Sequence, residues 1–206
     1  MAPETSFASA DPSIVRSVKQ RDLLNTWLRL WAGRSCPPSL TSYEPARLDE
    51  EWSELVRYRV EWNGDASRLI IDSQGARIAS AYGRAPGVSS KGTYLDEYLP
   101  ANRLPYVMPA YDQCVQRALP VYSITRLDDI YGRIVDYERM LLPFSDGDRI
   151  THVLASAKTI SEDGSFEIRN LMLAERKPEL RVRAVIDRDL AVRGASYSRA
   201  DEVVEI

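Results

Sequence analysis

The side chains that carry most protein chemistry are scarce in this chain. It has one histidine, His152, and two cysteines, Cys36 and Cys114, far apart in the sequence. Cys36 precedes Pro37-Pro38 in a loop and Cys114 lies in an apolar-periodic stretch, so both read as free thiols. Neither a histidine-rich metal site nor a Cys–His pair can be assembled from this inventory. No Gly-x-Ser-x-Gly, P-loop or Gly-x-Gly-x-x-Gly sequence occurs. The expectation is no metal, no catalytic residues and no enzyme.

What remains is a charge in an apolar setting. Asp146-Gly147 joins two candidate strands, 134–144 and 149–160. An even-length loop there sets Phe144 opposite Arg149, so Leu141 faces His152 and Arg139 faces Leu154. Tyr137, Arg139, Leu141, His152 and Leu154 then share one sheet face, and Asp136, Glu138, Met140, Val153 and Ala155 share the other. A guanidinium in the middle of apolar strands must find partners, because burying it unpaired costs several kcal/mol. Two readings stay open: Arg139 pairs with a local acid or backbone carbonyls, or it forms, with His152 and Tyr137, the polar end of a cavity for an anionic or polar ligand. Tyrosine is abundant, eleven against three phenylalanines, and Tyr94, Tyr98, Tyr106, Tyr111 and Tyr122 fall in or beside one helical region. Such rings suit pockets, interfaces and ordinary packing alike. The candidate pocket is Tyr98, Tyr111, Cys114, Tyr122, Tyr137, Arg139 and His152.

The elements that must position these residues follow from periodicity. Residues 1–11 are expected to form a disordered tail. Asp11-Pro12 is a helix-start signal, Ile14, Val18, Leu24, Trp27, Leu28 and Trp31 recur at three to four residues, and Gly33 fits a C-cap. A flanking helix over 12–33 is expected. From Leu55 the period becomes two, and Asn63-Gly64 predicts a hairpin pairing Val60 with Ser67, Tyr58 with Leu69 and Val56 with Ile71. A short helix over 75–82, helical turns through Tyr98, a helix opened by Pro109 and ended before Pro120, and strands at 121–127, 134–144 and 149–160 complete a domain spanning 34–160. This is an α+β layout: a five-stranded antiparallel sheet with inserted short helices and a long N-terminal amphipathic helix. The runs Leu69-Ile70-Ile71 and Met140-Leu141-Leu142 call for a sheet covered on both faces. A charged extension follows over 161–206, and its part from Ala174 to Ile206 fits a solvated tail, a helix with Val182, Ile186 and Leu190 aligned, or a strand with Leu180, Val182, Ala184 and Ile186 alternating; a flexible tail is the expectation.

A helix of about 21 residues spans roughly 30 Å, whereas a typical strand spans about 17–20 Å. Its first turns should project past the sheet, so Ile14, Val18, Trp27 and Trp31 are the expected homodimer contacts.

Composition excludes several function classes. The chain has 206 residues and a net charge of −3, which removes the footprint of a nucleic-acid binder. Its basic residues are 23 Arg against 4 Lys. No run approaches the roughly 18 apolar residues of a membrane helix. Glu4 stands where an export signal carries basic residues. A cytoplasmic location and no membrane insertion are expected.

Several stretches resemble the PAS superfamily, specifically its short stand-alone bacterial family first catalogued as a domain of unknown function. They are Leu23-Leu24-Asn25-Thr26-Trp27 with Pro37-Pro38-Ser39-Leu40, Asp72-Ser73-Gln74-Gly75-Ala76-Arg77-Ile78 through Tyr82-Gly83-Arg84, and Gly92-Thr93-Tyr94-Leu95. Ala118-Leu119-Pro120-Val121-Tyr122 and Tyr137-Glu138-Arg139-Met140-Leu141-Leu142-Pro143 complete the likeness, which covers roughly 20–160. The resemblance implies a sensory or regulatory module that acts by contacting a signalling protein partner, and it supplies no agreed ligand and no catalytic residues; gating by a small ligand in the core is one option, and the alternative is a receptor or carrier whose ligand sits between sheet and helices. Flavin-photosensor relatives use Asn-Cys-Arg-Phe, and Asp112-Gln113-Cys114-Val115 departs from it. Haem-binding relatives use a helical histidine, and His152 falls on a strand. No cofactor is therefore expected.

Overall fold

Ser17-x-x-Gln20 starts the first α-helix: the Ser17 hydroxyl accepts from the Gln20 amide at 3.4 Å, opening α1, Val18–Trp31. The structure is a computed structural model and describes residues 6–45, 51–161, 164–187 and 190. The continuous helix expected from Pro12 is instead two pieces. Asp11 caps a single 3-10 turn, Pro12–Ile14, and the backbone is extended again before α1. Val15 is buried there, and the Arg16 amide donates to the Tyr122 hydroxyl at 3.2 Å, which fixes the break.

The strands are β1 (Ala8–Ala10), β2 (Leu55–Asn63), β3 (Ala66–Gln74), β4 (Val121–Asp128), β5 (Ile134–Ser145), β6 (Ile150–Ser161) and β7 (Glu179–Ile186). They form one sheet in the order β1-β7-β4-β5-β6-β2-β3. Every neighbouring pair is antiparallel except β1 with β7. The five-stranded antiparallel sheet expected from the sequence is therefore corrected to a seven-stranded mixed sheet within an α+β fold. The two further strands come from segments taken for tail and extension. β7 pairs along β4, with Val185 and Ile186 buried on opposite faces, and that pairing gives β1 an edge to join. The extension beyond 190 lies outside the described residues.

Between β3 and β4 the chain forms α2 (Ala76–Ala81), α3 (Leu95–Tyr98) and α4 (Leu104–Arg117). The last begins ahead of Pro109 and carries that proline inside it. These helices and a 3-10 turn at Leu171–Leu173 cover one sheet face, while α1 covers the other. Two cores result, which is why the central strands β5 and β6 are buried on both sides.

Both hairpin registers differ from those expected, with opposite consequences. In β2–β3, Val60 pairs with Leu69 and Tyr58 with Ile71, a two-residue offset about a turn at Gly64-Asp65. An even offset leaves the side chains from Tyr58 to the turn on their expected faces, and a bulge between Arg57 and Tyr58 moves the pairing one residue further, setting Val56 opposite Gln74. In β5–β6, Phe144 pairs with His152 and Arg139 with Ala157, a three-residue offset. An odd offset turns β6 over relative to β5. Ser145 explains the shift: its amide donates to Pro38 O at 3.1 Å and its hydroxyl to Pro37 O at 2.8 Å. The loop before β2 thus holds the end of β5, and the ladder slips between Phe144 and Ser145.

Candidate ligand-binding site

Tyr137, Arg139 and Leu141 alternate along β5 toward the inserted helices. Tyr58 of β2 arrives on the same face, Tyr111 descends from α4, and Tyr82 follows the end of α2. Arg139, 7% exposed, lies at the centre of this group. Its guanidinium carbon is 5.3 Å from the Tyr137 ring centroid and 5.9 Å from that of Tyr111. The Tyr111 hydroxyl donates to Tyr58 at 3.3 Å, and the two rings meet edge to face at 5.3 Å. Among the described residues, no carboxylate pairs with Arg139.

Burial pushes the Tyr111 and Tyr137 hydroxyls up to about 12, against the pull of Arg139. Burial also raises Tyr58 and Tyr82. All four are neutral at physiological pH, so Arg139 faces hydroxyl dipoles and ring faces rather than formal counter-charge. Burial works against the charged guanidinium, and the Coulombic pull by which the four tyrosines raise the Arg139 pKa acts only once they ionise, well above physiological pH.

Two small chambers open on either side of this residue, each with about 260 Å³ of atom-free space counted out to its mouth. The inner one is lined by Tyr58, Tyr82, Tyr111, Tyr137, Arg139 and apolar neighbours. The outer one adds Arg103, Tyr106, Thr125, Met172 and Pro178. The enclosed part of each admits roughly one water-sized molecule. Arg103, 2% exposed, donates to the carbonyls of Met172 at 3.0 Å, Ala174 at 2.6 Å and Arg176 at 3.3 Å, and so holds that segment over the outer chamber.

Of the residues expected to form the pocket, Tyr111, Tyr137 and Arg139 come together. Tyr98 packs on Tyr82 at 5.0 Å and exchanges hydrogen bonds with Gln74, one layer back from the chambers. Cys114 is buried in the same core, where burial raises its thiol, and lines neither chamber. His152 and Tyr122 lie on the opposite face. The odd β5–β6 offset moves His152 there, beside Arg59. Tyr122 sits in the α1-side core and donates to Glu138 at 2.9 Å. Trp27 and Trp31 are also buried there, with the Trp27 indole donating to Pro143 O at 2.7 Å. Of the expected dimer contacts only Val18, 71% exposed, and the partly exposed Ile14 remain on the surface.

Sequence reasoning missed Tyr58, Tyr82, Arg103 and Met172. Tyr58 was legible, since it shares the alternation of Val56 and Val60; nothing in Pro100-Ala101-Asn102-Arg103 marks a buried arginine. It also missed a polar layer beneath α1, where Gln20 donates to Ser156 O at 3.0 Å and Lys158 pairs with Glu51 and Glu54.

Among the described residues, no group of three His, Cys, Asp or Glu side chains is placed to hold a metal, and no helix is long and apolar enough to cross a membrane. No protein-family model matches this chain, and no curated protein matches it.

Proposed function

We propose that the protein is a non-enzymatic regulatory module of the PAS kind, in which a small polar ligand held at Arg139 governs contact with a protein partner. The observation that carries this reading is the buried guanidinium ringed by neutral tyrosines and bordered by two chambers, with no carboxylate partner among the described residues. A charge so placed costs stability unless something compensates it, and strongly perturbed groups beside a cavity mark binding sites. Within the seven-stranded sheet, β2 and β3, the inserted helices and then β4 to β6 follow one another in the order that the resemblance implies, with β1 and β7 added outside it. Exposed Val18, Ile130, Tyr131 and Ile160 supply apolar surface for a partner or a second copy. A receptor or carrier would use the same chamber without that surface.

Native mass spectrometry of gently purified full-length protein tests this. The expected result is a small-molecule adduct on the wild type that Arg139→Met lacks. Identical bare masses for both proteins, after purification into ligand-free buffer and after incubation with cell extract, contradict it.

A further inference from the structure

We infer that the outer chamber, lined by Arg139 and Arg103, takes a compact carboxylate of two or three carbons once a lining side chain shifts. This rests on the ligand reading above and names its chemistry. The ring faces of Tyr137 and Tyr111 flank Arg139 at 5.3 and 5.9 Å and the Tyr137 hydroxyl takes one of its hydrogen bonds, so its other in-plane N–H groups remain the directions for a ligand. A guanidinium edge matches the two oxygens of a carboxylate. Arg103 uses three of its five N–H groups on the Met172, Ala174 and Arg176 carbonyls, leaving two for the same anion. Among the described residues, no acidic side chain lines this chamber.

The remaining lining sets size and polarity. Val107, Leu127, Met172 and Pro178 offer apolar contact for a short hydrocarbon tail, while Thr125, Tyr106 and Tyr137 offer hydroxyls. A phosphate dianion needs more donors than two partly engaged guanidiniums provide. Even acetate requires a lining group to move. Met172 is the candidate, being unbranched and three torsions long, whereas its neighbours on α4 and β4 are fixed by regular structure.

Thermal denaturation and calorimetric titration of the full chain, at matched ionic strength in a carboxylate-free buffer, test the class. The probes are acetate, propionate, acetamide and inorganic phosphate. Acetate and propionate should stabilise the protein saturably, acetamide and phosphate should not, and Arg139→Met should weaken acetate binding at least tenfold. Met172→Trp, which fills the chamber and keeps both arginines, should abolish binding should Arg139→Met not fold. Stabilisation by phosphate or acetamide but not by acetate, lost in Arg139→Met, overturns the carboxylate assignment and leaves a ligand at Arg139 standing. Equal acetate effects on the wild type and both variants, or no effect of any probe, overturn the carboxylate site, and the adduct measurement then decides the ligand reading on its own.

Discussion

Arg139 and Arg103 line one chamber, Arg139 from β5 and Arg103 from the residue before α4. Two like charges sharing a small enclosed space repel, and burial lowers the Arg103 pKa from its ordinary value. An anion between them removes that conflict. A short chain segment, Met172–Arg176, depends on the same arginine for three hydrogen bonds, so ligand state and the position of that segment are linked through one side chain.

Replacing Arg103 with methionine should therefore loosen the segment without dismantling the sheet. Each lost bond to a charged donor is worth about 1.5–3 kcal/mol in a rigid setting. Amide hydrogen exchange should quicken across residues 171–177 and stay unchanged in β5 and β6. Uniform acceleration across both strands would show that Arg103 supports the whole fold.

His152 gives a pH signature. Burial lowers its pKa below the ordinary value near 6.5, with Arg57 and Arg59 adding to the effect and Asp146 and Asp72 opposing it. The folded state thus favours neutral imidazole, and this stability is present above about pH 6.5 and lost as pH falls through the folded-state pKa. Comparing wild type with His152→Asn by chemical denaturation, the wild type should lose more stability between pH 7.5 and 5.5. Parallel stability curves would mean that His152 titrates alike folded and unfolded.

Ala118 ends α4 with φ +54, in the left-handed region. A Cβ is unfavourable there, and glycine is the residue this cap position favours. Ala118→Gly should raise stability by about 0.5–1 kcal/mol in a denaturant titration. A lower midpoint would place the backbone elsewhere.

The local signals in the sequence served where local physics decides the outcome. Alternation in 55–62 and the Asn63-Gly64 turn gave β2, β3 and the correct faces, because a two-residue slip preserves parity. They failed where a distant contact decides. The Pro37-Pro38 carbonyls that hold Ser145 lie more than a hundred residues away, and the odd slip they accompany put His152 on the wrong face. β7 was one of three open readings because its alternation is weak, and only pairing with β4 selects the strand. Arg139 was legible as a charge among apolar neighbours; that four tyrosines rather than an acid surround it was not, since Tyr58 and Tyr82 come from separate elements.

The central claim is that Arg139 is kept for a ligand and not for the fold. Methionine matches its apolar stem, though it stops short of the guanidinium carbon, and removes a buried charge that has no carboxylate partner among the described residues. Replacing buried charges by apolar groups of similar volume is often neutral or stabilising. The deciding measurement is the unfolding free energy of wild type and Arg139→Met, both stripped of small molecules by unfolding and refolding. The account predicts that the methionine variant is within about 1 kcal/mol of the wild type or more stable. A loss of about 3 kcal/mol or more would mean that Arg139 holds the core together by itself, and would contradict it.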